Sequence, residues 1–483
     1  MKKTLLPILL FSGLTISLVG QAQQDKWDLR RCVEYALANN ISIKQADVQA
    51  RLSKLTLEQS KWSQIPTLGL SANGGLVSGR SQSVNYTLST STYFVSQYNL
   101  QSSVNVFNFF SLRNSIAANK LAWQAAGANS DRVKNDISLN VANAYLQVLL
   151  ASEQAEAARL QLKLSQNSLE ITRKQVNAGT LPELNAAELE SQVANDSSNL
   201  ITAEGTIILN TLQLKAYMGL DAGTPFQTDT PPVDDIPVEK VADLQPESVY
   251  SMALTNQPLQ KYDALQVESA RYSVKASKGA MYPTISLSGS LSSAYSNQSF
   301  SVPNTRIADT VAIGFVKSTN ATVVQTNVPY QDGTYSKFKA QSYFRQLDGS
   351  FGQYVGVNLN IPILNNGILR TNYAKSKLNL RNLELQRDQD NLTLKNNIYQ
   401  AYTSAMTAFQ KFEASKIAVA KNAKSFDYAQ KRYGIGMLNT IDLLTNQNNF
   451  FKAKIDMLYA QYDYVFKMKV LEFYKGLGIR LTK

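Results

Sequence analysis

The sequence predicts a mainly helical chain that also carries membrane-crossing β-strands. Long stretches without glycine or proline, such as 368–433 and 437–475, are typical of long helices. Shorter segments of about 10 residues alternate between apolar and polar side chains, and a tilted strand of this length crosses a bilayer. Both kinds of segment occur twice in the same order, which indicates an internal repeat. We therefore expect two long helical hairpins and four strands in each chain.

The first 22 residues have the pattern of a secretory signal peptide. Lys2 and Lys3 precede a short apolar run, and small residues end the segment at Ala22. A retained membrane anchor is the alternative, but polar residues follow the apolar run at once. No cysteine stands at the expected cleavage point, so an acyl anchor is not expected there. We therefore expect an exported protein whose mature chain begins near residue 23.

The composition argues against several classes of function. The chain has no histidine, which excludes histidine-based triads, histidine general bases and histidine-ligated metal sites. Its single cysteine, Cys32, leaves no intrachain disulfide. Lysine and arginine give a net charge of +12, but they are interleaved with acidic residues and form no basic cluster for nucleic acid. Carboxylate pairs such as Asp234–Asp235 lie in a proline-rich segment. We expect no enzyme, no cofactor, no metal site and no nucleic-acid partner.

The repeat divides the mature chain into three parts. The first structural repeat is predicted at 23–220, a proline-rich connector at 221–245 and the second repeat at 246–483. An offset of 217 residues carries "PTLGLS", which begins at Pro66, onto "PTISLS", which begins at Pro283. Further along, an offset of 257 carries "NAGTLPELN" onto "GIGMLNTID". The 40 additional residues of the second repeat predict a longer extracellular loop at about 292–352.

Each repeat is predicted to open with one helix, at 28–64 and at 246–281, that ends at a proline. After each proline the period of the apolar residues changes to two. A polar segment at 78–101 and the longer one at 292–352 separate the strands of each pair and are predicted to be loops. The alternating apolar positions that predict the four strands are Leu68, Leu70 and Ala72; Val104 and Val106; Ile285 and Leu287; and Val355, Val357, Leu359 and Ile361.

Four strands are too few to close a barrel, and an open sheet edge leaves unpaired backbone amides in the hydrocarbon. Strands from several chains must therefore combine, and three chains would supply twelve, an even number within the range of outer-membrane barrels. Several aromatic residues lie near the predicted strand ends. They fit an interfacial girdle or ordinary strand aromatics equally well: Tyr93, Phe94, Tyr98, Phe107, Phe109, Phe110, Tyr282, Phe351 and Tyr354.

After the second strand, each repeat is predicted to form a helical hairpin. The helices are expected at 112–178 and 184–218 in the first repeat, and at 368–433 and 437–475 in the second. A helix of 66 residues would span roughly 100 Å. Apolar residues recur in alternating steps of four and three, which is a coiled-coil pattern. In the second hairpin this pattern is interrupted at Lys416 and Asn448.

The segments "WDLRRCVEYALANN", "SQIPTLGLS" and "RYGIGMLNTIDLLTNQNNFF" resemble the TolC-type outer-membrane efflux proteins, also called outer membrane factors. The resemblance covers essentially the whole mature chain. It implies a homotrimer with a 12-stranded outer-membrane β-barrel and a periplasmic α-barrel built from the helical hairpins. It also implies a location in the outer membrane of a Gram-negative bacterium. The partners would be a periplasmic adaptor protein and an inner-membrane pump.

The resemblance also assigns roles to the two hairpin turns. They would lie at the periplasmic tip and contact the adaptor through Gly179, Thr180, Leu181, Gly434, Gly436, Met437 and Leu438. Asp442 matches a position whose aspartate narrows the periplasmic mouth in family members, although a carboxylate in the first turn of a helix is also favoured by the helix dipole. Thr445 stands where some members have a second aspartate, and Leu438 stands where an arginine can occur. An acidic gate would therefore be weaker in this chain.

The predicted function is the exit duct of a tripartite efflux pump that passes small molecules such as drugs. An exit duct for type I protein secretion is the alternative within the same fold. A surface-anchored trimeric rod or adhesin is the alternative from another class, and the two similarly spaced helical turns disfavour it. The sequence leaves the cargo and the class of pump open.

Overall fold

A computed structural model of the single chain describes residues 26–82, 88–229, 239, 244–319 and 321–476. The predicted signal peptide lies outside the described residues, as does part of the predicted connector. The chain divides into two compact units. The helical unit comprises the described residues up to Ser53, Ala122–Val267, and those from Leu383 onward, whereas the sheet unit comprises Lys54–Leu121 and Glu268–Asn382.

The described residues form nine helices and six strands, which include elements that the sequence did not predict. The helices are α1 (Leu29–Asn39), α2 (Ile41–Trp62), α3 (Ser111–Asn177), α4 (Glu183–Met218), α5 (Pro246–Asn256), α6 (Pro258–Gly279), α7 (Tyr343–Gly349), α8 (Ile368–Gly434) and α9 (Thr440–Tyr474). The strands are β1 (Thr67–Gln82), β2 (Leu88–Phe107), β3 (Thr284–Ser296), β4 (Phe300–Val316), β5 (Ala321–Phe338) and β6 (Gly352–Asn360). None of the described helices contains an apolar stretch long enough to cross a membrane.

The prediction of one opening helix in each repeat is wrong, because each is divided in two. Between α1 and α2, Asn40 leaves the helical conformation and its side-chain oxygen accepts a hydrogen bond from the N–H of Ser42 at 2.8 Å. Its side-chain amide donates to the carbonyl of Tyr217, also at 2.8 Å. Between α5 and α6, Gln257 precedes Pro258, and a residue before proline is disfavoured in the helical conformation.

The four predicted strands form one antiparallel sheet in the order β1-β2-β3-β6. The pairing of β2 with β3 shifts register between Asn105 and Phe107. Side chains of directly paired residues lie on the same face of a sheet, so the register defines two faces. The apolar face carries Leu68, Leu70, Tyr98, Leu100, Val104, Leu287, Leu291, Val355, Val357 and Leu359. The polar face carries Thr67, Ser71, Gln97, Asn99, Gln101, Ser103, Ser286, Ser288, Ser290, Asn358 and Asn360.

The two segments predicted as polar loops are largely β-structure, which corrects those predictions. β1 and β2 extend as a paired hairpin into 78–101, as far as the Gln82–Leu88 pair. In the second repeat, β4 and β5 form a separate two-stranded sheet and are followed by the short helix α7. Threonine, valine, tyrosine and phenylalanine favour strands even in a polar segment, so polarity alone did not distinguish loop from strand. A total of four strands is therefore too low for the whole chain.

The predicted helical hairpins are confirmed as α3–α4 and α8–α9. Gly127 lies within α3 and does not interrupt this helix, which is 67 residues long in total. One cluster of buried apolar side chains among the described residues of the helical unit contains Tyr145 of α3 together with residues of α1, α4 and α9. Burial within this cluster raises the pKa of the Cys32 thiol to about 12, so this thiol stays protonated.

Candidate functional site

In the α3–α4 turn, Gly179 follows the end of α3 and has a φ of +72°. The N–H of Gly179 donates to the carbonyl of Val176, and the N–H of Thr180 donates to the carbonyl of Gln175, both at 2.9 Å. This pair of hydrogen bonds is the Schellman arrangement, which satisfies the last carbonyls of a helix and needs a left-handed residue. The Thr180 hydroxyl also donates to the Gln175 carbonyl at 2.8 Å. Pro182 then precedes α4 without a side-chain cap.

The α8–α9 turn has the same backbone geometry. Gly436 has a φ of +72° and donates to the carbonyl of Tyr433 at 3.0 Å, while Met437 donates to the carbonyl of Arg432 at 2.9 Å. Gly434, which the sequence also placed in the turn, is instead the last residue of α8. Only Gly436 therefore supplies the left-handed conformation. Asn439 caps α9 by accepting a hydrogen bond from the N–H of Asp442 at 2.7 Å.

Apolar side chains are exposed at both turns, and the second turn carries more of them. Ile435 and Met437 are about 70% exposed, at 71% and 68%. Ile441 and, at the first turn, Leu184 are also exposed. The predicted contact residues Leu181 and Leu438 are half-buried. Exposed apolar groups of this size at the end of a hairpin are typical of a protein-binding surface.

A buried hydroxyl cluster joins the end of the second hairpin to α3. The Tyr433 hydroxyl lies 2.9 Å from the hydroxyl of Thr172, which is fully buried on α3. It also lies 3.5 Å from the hydroxyl of Thr440 at the start of α9. These contacts connect α3, α8 and α9 just behind the turn.

The predicted gating residue Asp442 is exposed in the first turn of α9. Thr445, one turn further on, donates its hydroxyl to the carbonyl of Ile441 at 2.8 Å and so adds no charge. Leu438 is half-buried and also adds no charge. The described second turn therefore presents Asp442 as the carboxylate nearest to the start of α9.

A buried polar cluster behind the turns was missed by sequence reasoning. Asp196 of α4 is buried, and one carboxylate oxygen accepts hydrogen bonds from Ser165 at 2.6 Å and Gln161 at 3.2 Å. Gln192 donates to the other oxygen at 2.9 Å. Gln447 of α9 joins the cluster by donating to Ser165 at 3.1 Å. The polar interruption of the α9 core is therefore Gln447, and Asn448, which the heptad pattern indicated, is exposed.

A second buried acid lies on α6. Asp263 is 5% exposed, and burial raises its pKa to about 6, with the nearby charge of Asp390 on α8 as the second cause. Arg387 and Arg132 oppose this shift. These two arginines already contact other carboxylates, since they pair with Asp388 and Asp136. Asp263 and Asp390 are therefore two like charges held near one another inside the helical unit.

Aromatic residues cluster at the end of the sheet where β2 leads into α3. The rings of Phe107 and Phe109 lie 5.0 Å apart, and Phe109 stacks on Tyr282 at 4.9 Å. Phe110 contacts Phe107 at 5.9 Å. Phe109 and Phe110 both have positive φ, and a Cβ at Gly279 would lie only 2.7 Å from the Phe109 carbonyl. The chain thus turns sharply from strand to helix beside an aromatic cluster.

Comparisons with known proteins agree with this architecture. The family model of the outer membrane efflux proteins matches residues 32–220 and 249–474. The outer membrane protein TolC of Salmonella enteritidis is 21% identical over 482 residues, with 98% of this chain and 86% of TolC covered. A crystal structure of CusC superposes with a TM-score of 0.75 at 16% identity and covers 93% of this chain and 92% of CusC. The outer membrane protein VceC of Vibrio cholerae gives a TM-score of 0.73 at 16% identity and covers 94% of this chain and 97% of VceC.

The strands, the helical hairpins and the family match lead to one conclusion about the class of protein. Its members are channel proteins and not enzymes, they lie in the outer membrane of Gram-negative bacteria, and a large helical portion extends into the periplasm. The chain belongs to the outer membrane efflux protein family, whose members include TolC.

Proposed function

We propose that three copies of the chain form an outer-membrane channel that serves as the exit duct of a tripartite efflux pump. The observation that carries this proposal is the four-stranded sheet. Among the described residues, its outer strands β1 and β6 each pair with one strand only, so each leaves one row of backbone groups without a partner strand. Pairing β1 of one chain with β6 of the next would satisfy these groups in the bilayer. Three chains would then supply a closed barrel of twelve strands.

The two faces of the sheet support this arrangement. The apolar face carries exposed leucine and valine side chains, and we propose that it contacts lipid. The polar face carries serine, asparagine and glutamine side chains and would line the water-filled channel. Polar, mostly uncharged walls suit the passage of varied small molecules, such as drugs.

The helical hairpins would form the periplasmic α-barrel of the duct. The repeated Schellman turns at Gly179 and Gly436, and the matching of the family model to two separate segments, support a duplicated structural unit. A corresponding contact also occurs in both halves. Asn40 donates to the carbonyl of Tyr217, and Gln257 donates to the carbonyl of Tyr474, at 2.8 and 3.2 Å.

We propose that the hairpin turns dock onto a periplasmic adaptor protein, which in turn connects to an inner-membrane pump. The exposed Ile435 and Met437, together with Thr180 and the half-buried leucines of both turns, would form the contact surface. Asp442 from three chains would form a ring of three carboxylates near the periplasmic mouth. Because Asn185 occupies the corresponding place in the first hairpin, the ring would contain no further carboxylates from that position.

An efflux assay tests this function. The gene is deleted from a host that carries the adaptor and the pump, and the accumulation of a fluorescent pump substrate such as ethidium is compared with and without the wild-type gene. Complementation should restore low accumulation. If accumulation stays high while a secreted protein substrate reappears in the medium, the alternative function in type I secretion is the correct one.

A further inference from the structure

The short helix α7 lies against the apolar face of the sheet, and sequence reasoning did not foresee it. The Tyr343 hydroxyl lies 2.6 Å from the hydroxyl of Tyr98 and 3.3 Å from that of Ser96, both on β2. The Tyr343 ring also packs on Tyr295 of β3 with centroids 4.6 Å apart. Ser293 of β3 donates its hydroxyl to the carbonyl of Leu347 in α7 at 2.7 Å.

These contact residues belong to the same face as the exposed leucines. In the sheet, Tyr98 is paired with Ser293 and Ser96 with Tyr295. Two residues further along β2, Leu100 is paired with Leu70 and Leu291 on the same face. The helix therefore covers the apolar face at the end of the sheet that lies opposite the Phe107 aromatic cluster, and it leaves the polar face open.

The helix is fixed in this position by two further side chains, one in its middle and one just after its last residue. The Gln346 amide donates to the carbonyl of Ser296 at 2.9 Å, and its oxygen accepts from the N–H of the same residue at 3.0 Å. Just after the helix, the Ser350 hydroxyl both donates to the Ala294 carbonyl and accepts from the Ala294 N–H, at 2.7 and 3.0 Å. The helix is thus attached to the end of β3, beyond the Ser292–Gly352 pair at which β6 begins.

The outward side of α7 carries an aromatic ring, a cation and, at Asp348, a carboxylate. Phe344 is 81% exposed and contacts Tyr343 edge to face at 5.5 Å. Arg345 is also exposed, as is Phe351 just before β6. A phenylalanine exposed to this degree beside a cation is typical of a segment at a membrane surface, where the ring enters the acyl region and the cation stays near the phosphates.

The position of α7 along the sheet fits the thickness of a membrane. Tyr98, under α7, and Phe107, in the aromatic cluster at the opposite end, are nine residues apart on β2. Nine residues of a strand extend about 30 Å. With the tilt of about 40° that barrel strands have, this corresponds to about 23 Å, close to the roughly 25 Å of an outer-membrane apolar band.

From these observations we infer that α7 is an interfacial helix that docks on the outer leaflet of the membrane, with Phe344 among the lipid acyl chains and Arg345 beside anionic lipid phosphates. The inference rests on the proposed membrane orientation of the apolar face. It assigns a lipid contact to a part of the long second loop that would otherwise be expected to extend into the medium. The continuity of α7 with the apolar face favours lipid over a protein partner.

Spin labelling in the assembled channel tests this inference. Cys32 is fully buried and is replaced first by Cys32→Ala, so that each label site is the sole cysteine of the chain. Phe344→Cys is then compared with Val357→Cys on the apolar face and Gln101→Cys on the polar face. The three channels are placed in vesicles of phosphatidylethanolamine and phosphatidylglycerol. The relaxation of each label by oxygen, which concentrates in lipid, is measured against relaxation by a water-soluble nickel chelate.

The label at Phe344 should show an oxygen-to-nickel ratio at least about 3-fold above that at Gln101 and below that at Val357, as expected of the headgroup boundary. A ratio at Phe344 equal to that at Gln101, with Val357 still in lipid, would overturn the inference and leave the proposed channel intact. Protection from both agents would overturn it in favour of a protein partner. A nickel-accessible Val357 would contradict the proposed membrane orientation itself.

Discussion

The two hairpin turns have the same backbone conformation but differ in the side chains that they expose. Gly179 and Gly436 have the same φ of +72° and the same pair of helix-ending hydrogen bonds. The first turn continues with Pro182, whereas the second continues with Asn439, which caps its helix. The second turn also carries exposed apolar side chains and an acid where the first carries threonine and asparagine. The backbone conformation of a turn thus does not determine which side chains it exposes. We expect adaptor binding and gating to depend mainly on the second turn.

The largest effect is expected from Gly436→Val. A β-branched residue at positive φ costs more than the roughly 1–2 kcal/mol of an ordinary side chain, and the turn would have to change shape. We expect the efflux of ethidium to fall by about 10-fold or more, because a 1.4 kcal/mol loss of docking already corresponds to tenfold. Gly179→Val should lower the stability by the same amount as Gly436→Val but should reduce ethidium efflux less.

Gly434→Ala is the matched control for this prediction. Gly434 is helical, and a Cβ there would meet no atom within 4 Å. The variant should keep full transport and gain slightly in thermal stability, since alanine favours a helix. Wild-type efflux in Gly436→Val would show that the left-handed turn is not needed.

Met437→Lys and Thr180→Lys compare the two surfaces directly. Burying a methionine side chain at an interface contributes about 1.5–3 kcal/mol, so Met437→Lys should weaken adaptor binding about 10- to 100-fold. Thr180→Lys, at the corresponding place of the first turn, should weaken it by a few-fold at most. Binding of the purified adaptor to immobilised channel by surface plasmon resonance provides the measurement. Equal losses from both variants would contradict an unequal role of the two turns.

Asp442→Asn tests the charge difference between the turns. Removing the three proposed carboxylates should weaken block of the channel by divalent cations a few-fold in planar bilayers. Asn185→Asp, which copies the acid into the first turn, should strengthen the block. A block that neither substitution changes would remove these positions from the gate.

Asn439→Ala should lower the stability of the second hairpin by about 1 kcal/mol, because the N-cap hydrogen bond to Asp442 is lost. Pro182→Ala removes no side-chain cap and serves as the control. Thermal unfolding followed by circular dichroism compares the two variants. A larger loss from Pro182→Ala would mean that the rigid proline, and not the cap, is the more important device.

The smallest effect is expected away from the turns, at Asp263, for which the first repeat has Ala46 in the corresponding place. A carboxyl whose pKa is raised by folding binds more protons when folded. Its stabilising contribution is therefore complete below about pH 4 and is lost as the pH rises through about 6. The midpoint of thermal unfolding should fall between pH 5 and pH 7.5 by about 1–3 °C more in the wild type than in Asp263→Asn. If the unfolding midpoints of the wild type and Asp263→Asn changed in parallel with pH, the raised pKa of Asp263 would be contradicted.

The sequence predicted the features that depend on period and on turn residues. The long helices, their ends near Gly179 and Gly436, and the alternation of the four sheet strands follow from local patterns. The break at Asn40 was missed because an amide side chain that caps one helix and binds a distant carbonyl leaves no periodic signal. The break at Gln257 did have a local signal, the following Pro258, which the prediction of one continuous helix overlooked. Asp196 was missed for a related reason, since its three hydrogen-bond donors come from two helices. The long β4–β5 hairpin and α7 were missed because their residues are polar enough to pass for a loop.

The central claim is that the sheet of one chain is completed by the sheets of two others. Native mass spectrometry of the channel released from gentle detergent tests this claim most directly. The account predicts a complex with the mass of three mature chains, which dissociates into single chains only when the β-structure is lost. The account would be contradicted if the protein in the same detergent were a stable, folded single chain and no larger complex of the chain were detected.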